Sequence, residues 1–94
     1  MLGTIIGDIV GSVYEFNNYR HKDFSPFFNE HAFFTDDTIC TVGIADALIR
    51  DADPAQILKG WCTRYKHVEG WGNRFFDWIE SDIPTPYGSL GNGA

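Results

Sequence analysis

The sequence has little of what disulfide scaffolds, zinc sites, membrane spans and nucleic-acid-binding surfaces require. Only 2 of its 94 residues are cysteines, and neither lies in a CxxC or histidine-flanked cluster, which disfavours a disulfide framework and a zinc site. No apolar run approaches the ~20 residues that cross a bilayer. Lysine and arginine total 7 against 13 aspartates and glutamates, a net charge of −6. This balance argues against a nucleic-acid partner, because phosphate contacts need clustered cations.

The beginning of the sequence also lacks the features of a secretory signal. The segment from Met1 has no cationic start and meets Asp8 before an apolar core develops. Cys40 and Cys62 both lie in apolar, helix-like stretches, where free thiols are commonly buried. We therefore expect a cytoplasmic protein without membrane association, whose two thiols are buried and inert.

What the sequence does contain favours one all-α domain over residues 1–94. Apolar residues make up 44% of the chain, and the aromatic side chains comprise 8 phenylalanines, 4 tyrosines and 3 tryptophans. This is too many for a disordered segment. Apolar spacings of three and four predict helices, whereas residues 17–34 show no steady period and allow a short strand near 32–34. The predicted helices cover 2–16, Asp36 or Asp37 to Arg50, a segment that begins at Asp53-Pro54 and is closed by Gly70, and 74–81.

The first predicted helix presents three different faces. Gly3, Gly7 and Gly11 lie along one stripe, where each costs up to ~1 kcal/mol relative to alanine, and such a stripe usually lets another backbone come close. A second face is apolar. The third carries oxygen atoms, from Thr4, Asp8, Ser12 and Glu15.

The segment Phe34-Thr35-Asp36-Asp37-Thr38 is the strongest local signal for chemistry. A hydroxyl and two adjacent carboxylates are hard oxygen ligands, which suit Mg²⁺, Mn²⁺ or Ca²⁺. Because neighbouring helical side chains point about 100° apart, Asp36 and Asp37 are able to face two different ions. The competing hypothesis is that Thr35 or Asp36 simply caps the helix, with acids placed favourably in its first turn.

Two further groups are candidates for chemistry. Asp8 and Glu15 lie about two turns apart on one arc, where they either divide general acid, general base and metal roles or simply face solvent. The glycine-rich segment 88–93 suits phosphate binding through backbone N–H groups and the Ser89 hydroxyl. It lacks the P-loop lysine, and a frayed terminus explains its composition equally well.

Three ordered motifs together resemble the ADP-ribosylglycohydrolase family. The motifs are Gly3-Thr4-Ile5-Ile6-Gly7-Asp8-Ile9-Val10-Gly11-Ser12-Val13-Tyr14-Glu15, then Phe34-Thr35-Asp36-Asp37-Thr38, then Gly88-Ser89-Leu90-Gly91-Asn92-Gly93-Ala94. The resemblance implies an all-α bundle with a binuclear Mg²⁺ or Mn²⁺ centre at the floor of an ADP-ribose cleft. It covers the N-terminal part of a family member, which is longer than this chain.

The resemblance also implies roles for individual residues. Thr35, Asp36 and Asp37 correspond to the N-terminal half of the metal ligands, and Glu15 to the acid of the first-helix motif. A metal-bound carboxylate such as Asp36 is a second catalytic candidate. The loop that holds the diphosphate and adjoining ribose corresponds to Ser89, Leu90, Gly91, Asn92 and Gly93.

The sequence departs from the family in one respect. Family members complete the metal site with a C-terminal Asp-x-Asp-Thr segment, which these residues do not include. We therefore expect a hydrolase of ADP-ribosylated protein or small molecules, present as an N-terminal portion that needs a complementing C-terminal polypeptide or self-association. The alternative is a non-catalytic module that binds ADP-ribose or metal or serves a structural role.

Overall fold

A computed structural model describes residues 1–23 and 25–89 of the chain. In these ranges all regular structure is helical, and the strand allowed near 32–34 does not form. The predicted all-α fold class is confirmed. None of the described helices is both long and apolar enough to cross a bilayer. The α-helices are α1 (Leu2–Gly11), α2 (Asp36–Arg50), α3 (Pro54–Arg64) and α4 (Asn73–Glu80), and a 3-10 helix, Ser12–Tyr14, continues α1.

Helix α1 is shorter than the predicted 2–16. The Ser12 hydroxyl donates a hydrogen bond to the Ile9 carbonyl at 2.8 Å and accepts one from the Phe33 N–H at 3.1 Å. A serine that bonds back to the preceding turn competes with regular helix geometry, and the chain tightens here into a 3-10 turn. Glu15 therefore lies just beyond the regular helix.

The boundaries between α2 and α3 follow the predicted signals. Helix α2 ends at Arg50, after which Asp51 takes a left-handed conformation with φ 51°. Asp53 then caps α3 by accepting a hydrogen bond from the Ala55 N–H at 3.0 Å, and Pro54 occupies the first turn. The predicted closure by Gly70 is wrong, since α3 ends at Arg64. Gly70 does have a positive φ of 112°, but in the turn that leads to α4.

The buried core lies where α2, α3 and α4 meet. Its buried members are Ile39, Cys40, Cys62 and Ile79, surrounded by partly buried aromatic side chains. Both cysteines are free and buried, as predicted. A hydrogen bond with Cys62, together with burial, raises the pKa of the Cys40 thiol, so this thiol stays protonated and poorly nucleophilic.

Helix α1 packs on α2 and leaves its glycine stripe uncovered. A methyl group built on Gly3, Gly7 or Gly11 would meet no other segment within 4 Å among the described residues. The exposed surface nearby is apolar at Met1 and Leu2. The stripe therefore contributes no packing within the described part of this chain.

Two glycines in helix interiors provide a matched test of the packing between α2 and α3. A Cβ on Gly43 would lie 3.0 Å from Leu58 Cδ1 and 3.5 Å from Trp61 Cβ, whereas a Cβ on Gly60 would meet nothing within 4 Å. Gly60→Ala should raise the free energy of unfolding by about 0.5–1 kcal/mol through helix propensity. Gly43→Ala should be less stable than Gly60→Ala by about 1–3 kcal/mol because it crowds the helix crossing. Urea unfolding measures both, and equal effects would refute close packing at Gly43.

Candidate metal and substrate site

The carboxylate of Asp8 organises the N-terminus of α2. It accepts hydrogen bonds from the Thr35 N–H at 2.8 Å, the Thr35 hydroxyl at 2.5 Å, the Thr38 N–H at 3.1 Å and the Thr38 hydroxyl at 2.5 Å. The Thr38 N–H belongs to the first turn of α2 and has no partner inside the helix. Asp8 thus caps a helix from a position 27 residues before Thr35.

The predicted oxygen-bearing face of α1 is the surface on which residues 33–38 dock. Asp8 binds Thr35 and Thr38, and one turn later the Ser12 hydroxyl binds the Phe33 N–H. The Thr35 hydroxyl, which is buried, thereby has a hydrogen-bond partner in Asp8, as a buried polar group requires. The two oxygen-bearing side chains therefore fix the position of the whole segment before α2.

This arrangement bears on the capping hypothesis for the Thr-Asp-Asp segment. Thr35 occupies the N-cap position of α2 but makes no capping hydrogen bond with its side chain. Because Asp8 supplies the cap, the carboxylates of Asp36 and Asp37 are not needed for that purpose. No lysine or arginine in the described ranges forms an ion pair with either of them.

The carboxylates around this helix start repel one another. Burial, followed by the charge of Asp37, raises the pKa of Asp36. Burial likewise raises the pKa of Glu15, and the charges of Asp36, Asp37, Asp8 and Glu69 add to the effect. Like charges held together in a partly desolvated site disfavour full ionisation. A cation bound beside these carboxylates would offset their mutual repulsion.

Gly70 allows the Asp36 carboxylate to occupy its position. A Cβ on Gly70 would overlap Asp36 Oδ1 and lie 2.8 Å from its Cγ, and the backbone φ of 112° is one that side-chain-bearing residues rarely adopt. The turn between α3 and α4 thus forms one wall of the site. Any larger residue at position 70 would displace the Asp36 side chain.

The acids lie at the edges of two cavities. One, of about 340 Å³, is lined by Glu15 and Thr35 together with aromatic and histidine side chains. The other, of about 640 Å³, is lined by Asp36 and Asp37 on one side and by Ser89 among others. Two of the predicted metal ligands, Asp36 and Asp37, thus line one cavity together with Ser89, the first predicted substrate-binding residue, whereas Thr35 lines the smaller cavity with Glu15. The other predicted substrate-binding residues, Leu90, Gly91, Asn92 and Gly93, lie outside the described residues.

The donor set fits a hard divalent cation as a partial site. Asp36 and Asp37 offer carboxylate oxygens, and the Thr35 hydroxyl, although its proton goes to Asp8, keeps lone pairs for a metal. Among residues 1–23 and 25–89, no three His, Cys, Asp or Glu side chains form a metal-binding group by themselves. Mg²⁺ is typically held by one or two carboxylates, water and substrate phosphates, which matches this set.

Several contacts at the site were not predicted from the sequence. The capping role of Asp8 was missed, as were the part played by Thr38 and the close approach of Gly70 to Asp36. The position of Asp8 on the oxygen-bearing face of α1, opposite the apolar face, was a signal for its capping role. The Gly70 contact has no local signal, because it depends on how the α3–α4 turn packs on α2.

Replacing Asp8 tests whether its carboxylate holds the site together. Asp8→Ala removes the four hydrogen bonds that Asp8 accepts from Thr35 and Thr38 at the start of α2, so the free energy of unfolding should fall by about 2–3 kcal/mol. Asp53→Ala is the matched control, because Asp53 caps α3 from an exposed position and its loss should cost about 1 kcal/mol. Chemical denaturation followed by circular dichroism compares them. A cost for Asp8→Ala no greater than that of the control would contradict the organising role.

The dependence of stability on pH tests the raised pKa of Asp36, which burial and the charge of Asp37 together produce. Because the pKa of Asp36 is raised above its ordinary 3.8 in the folded chain, its protonation stabilises the fold below that value. This stabilisation is lost as the pH rises through the raised pKa. Asp36→Asn removes the ionising group, so its stability relative to the unmodified chain should be higher at pH 7 than near pH 4.

Asp51→Asn makes the same charge change at a left-handed position that asparagine accepts. The effect of pH on its relative stability in urea unfolding should differ from that of Asp36→Asn, because Asp51 lies at the opposite end of α2 from the acid cluster. Parallel behaviour of the two variants would contradict the raised pKa of Asp36.

Comparison with known families agrees with the motifs that this geometry brings together. The family model described as ADP-ribosylglycohydrolase matches residues 1–93. Searches of curated proteins and of solved structures gave no match. The family match covers the helices, the Asp8-capped start of α2 and the acids beside it, and the chain is therefore a member of the ADP-ribosylglycohydrolase family.

Proposed function

We propose that the chain contributes to a metal-dependent hydrolase that cleaves the ADP-ribosyl glycosidic bond of an ADP-ribosylated protein or small molecule. Family membership supports hydrolase chemistry at the coarse level. The observation that carries the finer proposal is the pair of carboxylates, Asp36 and Asp37, which lack a cationic partner in the described ranges and border the same cavity as Ser89.

In this proposal Thr35, Asp36 and Asp37 hold Mg²⁺ or Mn²⁺, with further ligands supplied from outside the described residues. When bound, the metal supplies positive charge that orients ribose hydroxyls and lowers the pKa of bound water. The carboxylates of Asp36 and Glu15 assist proton transfer to and from the reacting groups. Their negative charge also stabilises the oxocarbenium-like character that develops at ribose C1 as the bond breaks.

The diphosphate part of the substrate would lie in the cavity of about 640 Å³, whereas Glu15 borders the cavity of about 340 Å³. Ser89 borders the larger cavity, and the family resemblance assigns Ser89 to Gly93 to the diphosphate and adjoining ribose. Backbone N–H groups of a glycine-rich segment suit phosphate oxygens, since the absence of side chains permits close approach. The cation at Asp36 and Asp37 would offset the repulsion between these acids and the diphosphate.

A complementing C-terminal polypeptide, or a second copy of the chain, is also part of the proposal. Supporting it, the described chain leaves the α1 glycine stripe uncovered and exposes large apolar side chains of α2 such as Leu48 and Ile49. Apolar patches beyond a few hundred Å² are uncommon on monomers. Two free, buried thiols fit the expected cytoplasmic compartment.

Release of free ADP-ribose tests the proposed activity. The chain is incubated with Mg²⁺ or Mn²⁺ and an ADP-ribosylated peptide, alone and mixed with a polypeptide that supplies the family's C-terminal Asp-x-Asp-Thr segment, and products are separated by chromatography. We expect metal-dependent release with the mixture. Asp36→Asn should lower the rate by about 100-fold or more, as for loss of a group that stabilises developing charge.

Asp51→Asn is the control for this loss of charge and should keep the full rate, because Asp51 lies at the far end of α2. Absence of release under every condition would refute the hydrolase and favour a non-catalytic ADP-ribose-binding, metal-binding or structural module. Release that persists in chelator would refute the metal dependence.

A further inference from the structure

We propose that Arg74 is a positioning residue that fixes Tyr87 and Gly88 against α4, so that Ser89 faces the cavity bordered by Asp36 and Asp37. The inference rests on the proposed function, because it concerns how the glycine-rich segment is presented to a diphosphate. It adds to that function a residue outside the three family motifs.

One guanidinium group makes two contacts with the segment. Arg74 Nη1 donates a hydrogen bond to the Gly88 carbonyl at 2.6 Å. The guanidinium carbon lies 6.0 Å from the centroid of the Tyr87 ring, within the range of a cation–π contact. Because the group is planar and rigid, the two contacts together restrict both the backbone and the ring that precede Ser89.

The position of Arg74 in its helix favours a role outside the helix itself. It lies in the first turn of α4 (Asn73–Glu80), where a positive charge interacts unfavourably with the helix dipole. No carboxylate in the described ranges forms an ion pair with Arg74. Its contacts are therefore directed at Tyr87 and Gly88 and not at the stability of α4.

The cavity explains why this restriction matters. Arg74 and Tyr87 line the cavity of about 640 Å³ together with Asp36, Asp37 and Ser89. Residues 84–89 have no helical structure of their own to hold them there. A loop fixed before a ligand arrives loses less conformational entropy on binding. By holding Ser89 beside Asp36 and Asp37, Arg74 thus lowers the conformational entropy that this segment loses when a ligand binds.

Proteolysis tests the contact without requiring any ligand. Chymotrypsin cleavage after Tyr87, measured by mass spectrometry on the full chain, should be about tenfold faster in Arg74→Gln, as expected when one charge-assisted hydrogen bond is lost. Cleavage after the exposed Phe28 should not change and serves as the internal reference. Lys66→Gln is the matched control, since Lys66 pairs with Glu80 on the exposed surface at 3.1 Å. Unchanged cleavage after Tyr87 in Arg74→Gln would overturn the proposal.

Calorimetric binding of ADP-ribose in the presence of Mn²⁺ tests the consequence for the site. Arg74→Gln should weaken the affinity about tenfold. Arg74→Lys should give an intermediate loss, because lysine keeps the charge but not the planar fork. The Mn²⁺ affinity measured without ADP-ribose should be unchanged in both variants, since Asp36 and Asp37 remain.

The possible results separate this inference from the proposed function. Faster cleavage together with weaker ADP-ribose binding supports the positioning role. Faster cleavage with unchanged ADP-ribose affinity overturns it while leaving the proposed function intact. If the unmodified chain binds Mn²⁺ but no ADP-ribose, alone or with the complementing polypeptide, the proposed function and the positioning role both fail.

Discussion

The hydrogen-bonded contact between the Asp8 carboxylate and the start of α2 is the constraint on which the rest of the structure depends. It joins α1 to α2 across 27 to 30 residues of chain, and it satisfies both a buried hydroxyl and a helix-terminal N–H. Because one carboxylate from a distant helix performs the capping, neither Asp36 nor Asp37 is required as the cap of α2. A single long-range contact thus gives Asp8 a structural role, while Asp36 and Asp37 border a cavity.

The same contact adds a negative charge to a group of acids with which no lysine or arginine of the described ranges forms an ion pair. Burial raises the pKa of Asp36 and of Glu15, and the charges of neighbouring acids, Asp8 among them, add to the effect. A protein that needed only a stable helix would place a lysine or arginine nearby. The described ranges place a glycine there instead, and Gly70 lets Asp36 approach the turn closely. An arrangement that concentrates negative charge beside a cavity is typical of cation-binding sites, and membership in a glycohydrolase family is consistent with that interpretation.

The sequence predicted the features that depend on local chemistry. The end of α2 at Arg50 and the Asp53-Pro54 start of α3 follow from capping and propensity rules that act over a few residues. The start of α2 was predicted at Asp36 or Asp37, but its cap comes from Asp8, which no local rule indicates. The sequence predicted less well the features that depend on contacts between distant segments. The α-helix α1 ends early, in a 3-10 turn, where Ser12 binds Phe33. Gly70 lies beside Asp36 and does not end α3. The oxygen-bearing face of α1 was visible in the spacing, but its partner, the segment 33–38, could be identified only from the folded chain. The family motifs brought the acids together in the prediction, and Arg74 lies outside them.

The central claim is that Asp36 and Asp37, freed from capping by Asp8, bind a divalent cation at the start of α2. Paramagnetic broadening of amide resonances by substoichiometric Mn²⁺ tests it most directly, because the effect falls steeply with distance from the ion. The account predicts selective loss of the signals of residues 35–38 and of Glu15 and Gly70, while the C-terminal half of α2 and the α3 cap at Asp53 keep theirs. Broadening centred on another acidic segment, or spread evenly over the exposed carboxylates, would contradict it.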